Sequence, residues 1–104
     1  MLSEPNRIDI IAKSPEGEII LAISAHEDWG KKPHTIEQLE KKLQSYIRFI
    51  ENGQYEESYG NAPVIIQIMT AYALSPEAEK VCQKVENATG IEIKVLVMGL
   101  FGMP

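Results

Sequence analysis

Four polar residues around the only tryptophan of this chain have side chains that can bind a metal: His26, Glu27, Asp28 and His34. Two imidazoles with a carboxylate can ligate a divalent transition metal. Their spacing follows no zinc signature, so a solvated polar loop, or a His34 that caps the next helix, is the alternative interpretation. We expect no metal or other cofactor, and we keep His26, Asp28 and His34 as weak metal candidates.

The segment Glu92-Ile93-Lys94 is a second candidate site. An acid and a lysine two positions apart on a strand point to the same side, as in nucleases whose Asp…Glu-x-Lys motif holds magnesium. Asp28 or Asp9 would supply the upstream acid. The alternation of charge with isoleucine is equally typical of a solvent-facing strand. A metal-dependent nuclease or another hydrolase that uses Asp28, Glu92 and Lys94 is therefore an alternative function, and it requires these side chains to lie close together.

Aromatic residues allow a third function, the binding of a small ligand. Trp29 could stack against a ligand, because tryptophan is enriched at binding hot spots, or it could cover one end of a small core. We favour the core position for Trp29. Tyr55 and Tyr59 lie in a polar segment and suit either a core lid or the rim of a pocket. A ligand binder would use Trp29, Tyr55 and Tyr59 together.

The single cysteine, Cys82, offers little support for nucleophilic catalysis. It lies in the apolar stripe of a predicted helix, where a cysteine packs as a small hydrophobic residue. One cysteine cannot form an intramolecular disulfide, which favours a reducing compartment. The first residues carry no basic run followed by an apolar segment, so we expect no signal peptide and a cytoplasmic location.

Composition places limits on the class of protein. The chain has 104 residues, of which 44% are hydrophobic and 24% charged, with a formal net charge of -5. This describes a single domain, 1–104, with an ordered core over about 7–98. The only basic dipeptides, Lys31-Lys32 and Lys41-Lys42, lie among acids, so nucleic acid is not an expected partner. No apolar run is long enough to cross a membrane.

The elements that must position these residues begin with a β-hairpin. Residues 8–13 and 18–25 are β-branched runs, and Ser14-Pro15-Glu16-Gly17 joins them as a turn. Proline fixes φ in such a turn, and glycine accepts the positive φ that closes it. Alternation in the first strand predicts one face with Ile8, Ile10 and Ala12 and the other with Asp9, Ile11 and Lys13, of which we expect the second to lie on the open face of the sheet.

Two amphipathic helices and two further strands follow. A helix is expected from Thr35, with Thr35 and Gln38 at capping-box spacing, to a stop at Gly53. A buried strand over 64–71 precedes a helix opened by Ser75 and Pro76, and a last strand covers 91–98. The order β-β-α-β-α-β predicts an α/β (α+β) two-layer sandwich, with a four-stranded mixed sheet and both helices mainly on one face.

Such a sandwich leaves apolar residues of the open sheet face without cover. The tail 99–104 is also apolar, although chain ends are normally polar. Uncovered apolar surface usually marks an interface, so we expect a non-enzymatic domain that forms a homodimer or binds a protein partner. The expected interface residues are Ile20, Met69, Leu96, Met98, Leu100, Phe101 and Met103.

The helix segment 39–54 reads Leu-x-x-Lys-Leu-x-x-Tyr-x-x-Phe-Ile-x-x-Gly-Gln. With the preceding strand pair and the Trp29 loop, it resembles a family of small bacterial proteins of unknown function that share the β-β-α-β-α-β pattern. The similarity covers about residues 7–98, and Gly60 stands where that pattern has proline. The resemblance implies the same fold and a bacterial cytosol, and it implies no activity.

Overall fold

The computed structural model describes residues 2–26, 28–29, 34–53, 56, 60 and 62–98. Within them the predicted order β-β-α-β-α-β is confirmed, and each element lies within a residue or two of its expected bounds. The elements are β1 (Ile10–Lys13), β2 (Ile19–Ala25), α1 (Thr35–Glu51), β3 (Val64–Thr70), α2 (Pro76–Thr89) and β4 (Ile93–Val97). Neither described helix is long and apolar enough to cross a membrane.

The four strands form one mixed sheet in the order β1-β2-β3-β4. β1 runs antiparallel to β2, whereas β2, β3 and β4 are parallel to one another. Each helix connects two parallel neighbours, and both connections step across the sheet in the same direction. Since such crossovers are right-handed, both helices lie on the same face. The predicted two-layer mixed sandwich is confirmed.

The core lies between this helix layer and the two central strands. Alternate residues of β2, namely Ile19, Leu21 and Ile23, have no exposed surface, and the same holds for Ile66 and Ile68 of β3. The α1 stripe that faces them includes Leu39, Leu43 and Tyr46, which are also fully buried. The period of two in the strands thus meets a three-to-four spacing in the helix, which is the arrangement that buries both apolar faces.

The turn between β1 and β2 matches the expectation from its residues. The amide of Gly17 donates to the carbonyl of Ser14 at 2.9 Å, and Gly17 has a φ of +88°. The Ser14 hydroxyl also accepts from the Glu18 amide at 3.0 Å. Glycine is required at that left-handed position because it has no Cβ.

The predicted faces of β1 were wrong. Ile11 pairs with the buried Leu21 and Lys13 pairs with the buried Ile19, so these residues lie on the helix side of the sheet. Ile10 lies on the open face instead and is 46% exposed. The hairpin register decides which face each residue takes. The apolar alternation in β1 misled because β1 is an edge strand, where isoleucines stay partly exposed on either face.

The expected capping box of α1 is also wrong. His34 occupies the N-cap without a side-chain capping bond, and Thr35 is the first helical residue. The Thr35 hydroxyl is buried and has no hydrogen-bond partner in the described part of the chain. The start of α2 follows the prediction, since Ser75 Oγ accepts from the Ala78 amide at 3.2 Å. Capping by Ser75 satisfies one of the amides that a helix start leaves unpaired.

Candidate functional site

The residues of the nuclease hypothesis lie at opposite ends of the sheet. Asp28 follows the carboxyl end of β2, whereas Glu92 precedes β4, whose first residue pairs with Ile66 near the start of β3. Through β3, Glu92 is level with Ile20. From that level β2 continues for five residues to Ala25, roughly 16 Å at about 3.3 Å per residue. The structure therefore does not bring Asp28 together with Glu92 and Lys94.

Glu92 and Lys94 instead face solvent beside one another. Lys94 Nζ lies 3.9 Å from Glu92 Oε2, and both side chains are more than half exposed. An exposed pair of this kind contributes little to stability or to chemistry. The exposed Glu92–Lys94 pair agrees with the interpretation of this segment as a solvent-facing strand.

The candidate metal ligands are dispersed around the end of β2 and the start of α1. His26 and His34 are exposed, and Asp28 is half-buried. Within the described ranges, which omit Glu27, no three His, Cys, Asp or Glu side chains are close enough to share a metal ion.

Trp29 lies in the core and not at a surface where a ligand could stack on it. The side chain is 5% exposed, and the indole Nε1 donates to Thr70 Oγ1 at 3.2 Å. Thr70 is itself fully buried, and its hydroxyl donates to the Tyr72 carbonyl at 2.8 Å. The ring thus closes the carboxyl end of the sheet. Tyr55 and Tyr59 lie outside the described residues.

Cys82 lies in the apolar stripe of α2 and is 6% exposed. Burial, together with the negative charges of Glu86 and Glu79, raises the pKa of its thiol to about 11. A nucleophilic cysteine requires the thiolate form in an electropositive setting. Cys82 is instead buried beside two carboxylates, an environment that disfavours the thiolate form.

Of the expected interface residues, four fall within the described ranges. Register places Ile20, Met69 and Leu96 on the open face of the sheet. Leu96 is 43% exposed, whereas Ile20, Met69 and Met98 are half-buried. Leu100, Phe101 and Met103 lie outside the described residues. The exposed large apolar residues of the described open face therefore lie at its two edges, Leu96 on β4 and Ile10 on β1, and not at its centre.

Strand β4 forms one edge of the described sheet and carries exposed apolar residues on both faces. Val95, Leu96 and Val97 are 41%, 43% and 48% exposed. Val95 pairs with Ile68 and Val97 pairs with Thr70 on the helix side, while Leu96 lies on the open face. A strand with one face in water and one face in the core would have exposed and buried side chains at alternate positions. Three consecutive exposed apolar residues are unusual for an edge that faces water.

The backbone amides and carbonyls of successive β4 residues point alternately toward β3 and away from it. The sequence could not specify which residues point in which direction. The Glu92 carbonyl accepts from the Ile66 amide and the Met98 amide donates to the Thr70 carbonyl, so these two residues of the β4 segment point toward β3. In a parallel pair, the intervening residues of opposite parity point their amides and carbonyls to the other side. Ile93, Val95 and Val97 therefore direct their amides and carbonyls away from the described sheet. The Ile93 amide donates to Glu86 Oε2 at 3.0 Å, so the Val95 and Val97 amides and the three carbonyls are the groups that a further strand could pair with.

A buried polar cluster lies under α1, and the sequence did not point to it. Lys42 Nζ contacts Asp9 Oδ1 at 2.8 Å and donates to the Glu4 carbonyl at 2.8 Å. Tyr46 Oη accepts from the Asp9 amide at 2.9 Å and donates to the Ala22 carbonyl. The available signal was Lys42 itself, a lysine between Leu39 and Tyr46 in the apolar stripe.

The charge states of this cluster follow from its contacts. Burial alone would raise the pKa of Asp9, but the hydrogen bonds from Lys42 and from the Ser24 amide, with the charge of Lys42, outweigh it and lower that pKa. Burial raises the pKa of Tyr46, so its hydroxyl remains protonated. The cluster is an ion pair with a neutral tyrosine, and every described contact joins parts of this chain. We interpret it as a structural fastening between the N-terminal segment, β1 and α1.

Residues 1–98 match a family described as "Family of unknown function (DUF6572)". The chain belongs to DUF6572. No curated protein matches the sequence, and no solved structure matches it. The expectation of a family of unknown function with the β-β-α-β-α-β pattern is thereby confirmed.

In this DUF6572 chain the pattern Leu-x-x-Lys-Leu-x-x-Tyr has a structural explanation. Its four named positions, Leu39, Lys42, Leu43 and Tyr46, all have no exposed surface. Two of them pack in the apolar core, and two build the polar cluster with Asp9. The segment that carries the family resemblance is thus part of the structural core. Residues with a role in binding must therefore lie elsewhere, on the surface.

Proposed function

We propose that this domain is a non-enzymatic protein-interaction domain of the bacterial cytosol that forms a homodimer through the edge of β4. The observation that carries the proposal is the combination, on one edge, of three consecutive exposed apolar residues with outward-pointing backbone groups. An edge of this kind is a template for pairing with another strand. The lone, buried Cys82 suits the reducing compartment in which such a domain would work.

A second copy of the chain fits this edge by two-fold symmetry. Strand β4 has five residues, and its central residue, Val95, is one whose backbone points outward. An antiparallel pair centred on Val95 would place Ile93 opposite Val97 of the partner subunit, and the converse. Directly opposite residues with outward backbone groups exchange two hydrogen bonds. This register would form four hydrogen bonds, two between the Val95 residues and two from the Val97 amides to the Ile93 carbonyls, while the Ile93 amides stay bonded to Glu86 Oε2.

The side chains favour the same register. On the helix side it would bring two β-branched pairs of Ile93 with Val97 and one pair of Val95 with itself, and such cross-strand pairs stabilise sheets. On the open face, Leu96 would lie against the aliphatic stem of Lys94 of the partner subunit. Both the 41% exposed Val95 and the 48% exposed Val97 would lose contact with water.

The opposite edge of the sheet is a poorer site for pairing. β1 has four residues, of which Ile10 and Ile11 are the exposed large apolar ones, and it ends at the exposed Lys13. The tail 99–104 follows β4 in the sequence and contains the apolar residues Leu100, Phe101 and Met103.

The expected affinity is modest. A stable interface commonly buries about 800 Å² on each partner, and a strand of five residues with a short tail is at or below this size. We therefore expect a dissociation constant in the micromolar range, with association driven by the apolar residues of β4 and of the tail.

Sedimentation equilibrium of the full chain at about 10 to 500 µM tests the proposal. We expect the weight-average mass to rise from the 11.6 kDa of the monomer toward twice that value. Val95→Lys should hold the chain at the monomer mass, because it places a charge at the centre of the two-fold contact. Deleting residues 99–104 should weaken association.

Ile10→Lys is the matched control, since it adds the same charge at an exposed apolar position on the opposite edge. This variant should still dimerise. A wild-type chain that stays monomeric throughout the range, or equal dissociation of the Val95 and Ile10 variants, would show that β4 is not the interface.

A further inference from the structure

The two helices leave a groove between them on the side away from the sheet. The groove has a volume of about 620 Å³, and its lining comes from residues 40–48 of α1 and residues 80–89 of α2. Its floor is apolar and includes Ile47, Val81 and Val85. These three side chains are half-buried, although they also pack against the core.

The rim of the groove is basic, although the chain as a whole is acidic. Arg48, Lys80 and Lys84 line it, against a single carboxylate, Glu40, in a chain with a net charge of -5. Lys80 and Lys84 are one turn apart on α2, and like charges at that spacing repel each other. In the described part of the chain, neither lysine has a carboxylate within ion-pair distance. A bound group of negative charge would relieve this repulsion.

We propose that this interhelical groove binds an amphipathic helix with acidic flanks that belongs to a protein partner. Apolar side chains of such a helix would contact the floor, and its carboxylates would pair with Arg48, Lys80 and Lys84. This is the helix-in-groove mode of peptide recognition. It involves the helix layer and does not depend on the proposed pairing at β4.

The distribution of charge along the groove favours a helix over a small amphiphile with a single anionic headgroup. Both helices connect parallel strands in the same sense and so run in the same direction. Lys80 therefore lies at the end that contains Glu40, and Arg48 lies at the other end. Glu40 and Arg48 are eight residues apart, or about 12 Å along the helix axis. One headgroup would need cations gathered at one end, whereas a helix of two turns can place acids along the whole length.

The length agrees with the usual spacing of helix anchors. Apolar residues at i, i+4 and i+7 of a bound helix span about 10.5 Å at 1.5 Å per residue. The floor residues Val81 and Val85 are themselves one turn apart, with Ile47 across the groove. Three anchors can thus contact the floor while acids on both flanks meet the basic rim.

The test uses the full chain and a synthetic helical peptide of about 16 residues, with leucine at the anchor positions and glutamate on both flanks. Titration calorimetry and amide chemical shifts should show binding in the range of about 10 to 100 µM, with shifts confined to α1 and α2. Lys84→Glu should weaken binding at least 10-fold. Lys41→Glu is the matched control, because it changes the net charge equally at an exposed α1 position outside the groove, and it should bind within about 2-fold of wild type.

Three results would overturn the proposal. The first is the absence of peptide binding up to about 1 mM. The second is equal weakening by the Lys84 and Lys41 variants, which would indicate a general charge effect. The third is preference for a control peptide with lysine in place of every glutamate, or for decanoate as a single-headgroup amphiphile. Because none of these readouts depends on dimerisation, a failure here is distinguishable from a failure of the β4 proposal.

Discussion

Lys42 Nζ lies 2.8 Å from Asp9 Oδ1, and the two side chains are 0% and 8% exposed. The residues are 33 positions apart in the sequence. Their contact joins α1 to the segment that leads into β1, and Lys42 extends it by donating to the Glu4 carbonyl. Burying two charges is costly, so such a pair stabilises a fold only when further hydrogen bonds satisfy both groups. The cluster around Asp9 and Tyr46 supplies those bonds.

Lys42→Met should lower the free energy of unfolding by about 3 to 5 kcal/mol, because it removes the cation that balances a buried carboxylate. Urea denaturation followed by circular dichroism measures this change. Lys41→Met is the control, since Lys41 is adjacent in sequence but exposed, and it should change stability by less than about 0.5 kcal/mol. Equal effects of the two substitutions would contradict the structural role of the ion pair.

The Asp9 carboxylate should also give the protein a pH-dependent stability at acid pH. Its pKa is lowered in the folded state, so the unfolded state binds a proton more readily. The stabilisation is therefore complete above the ordinary aspartate value of about 3.9 and is lost as the pH falls through the lower folded value. The unfolding free energy of wild type, measured by urea titration between pH 6 and 2, should fall more steeply than that of Asp9→Asn.

Glu16→Gln serves as the control for this measurement, because Glu16 is an exposed acid in the β1–β2 turn. Its pH profile should be parallel to that of wild type. If Asp9→Asn were equally parallel, the low pKa of Asp9 would not contribute to acid stability.

Tyr46→Phe should destabilise the fold by about 2 kcal/mol. The Tyr46 hydroxyl accepts from the Asp9 amide and donates to the Ala22 carbonyl, and removing it takes away the acceptor of the Asp9 amide and one donor to the Ala22 carbonyl. Hydrogen exchange of the Asp9 amide should accelerate together with the loss of stability. Tyr72→Phe, at a residue that is 37% exposed, should have little effect on either measurement.

Val95→Cys should form a disulfide-linked dimer under mild oxidation if β4 pairs as proposed. Hydrogen-bonded antiparallel partners have Cα atoms about 5.5 Å apart, which is within the range that a disulfide spans. Leu96→Cys is the control, because Leu96 is equally exposed but would lie opposite Lys94 of the partner subunit. Non-reducing electrophoresis, in a Cys82→Ala background, should show the crosslink for Val95→Cys far more than for Leu96→Cys, and the reverse order would exclude this register.

Local chemistry determined most of the elements. Gly17 closes the hairpin with a positive φ, and Ser75 with Pro76 starts α2 as expected, because turns and caps depend on residues a few positions apart. Thr35 shows the limit of this reasoning, since its capping spacing is present but its hydroxyl is buried without a described partner. The surrounding packing, which the spacing does not encode, decided that position.

The sequence by itself determined the order of the elements and the parallel crossovers, since periodicity, turns and connection handedness are local or nearly local properties. Only the tertiary structure decided which face Asp9 occupies, which backbone groups of β4 point outward, and that Arg48 joins Lys80 and Lys84 beside one groove. These facts depend on strand register and on contacts between distant segments. A one-residue shift in register would move every β1 side chain to the other face of the sheet, and no residue nearby in the sequence specifies this register.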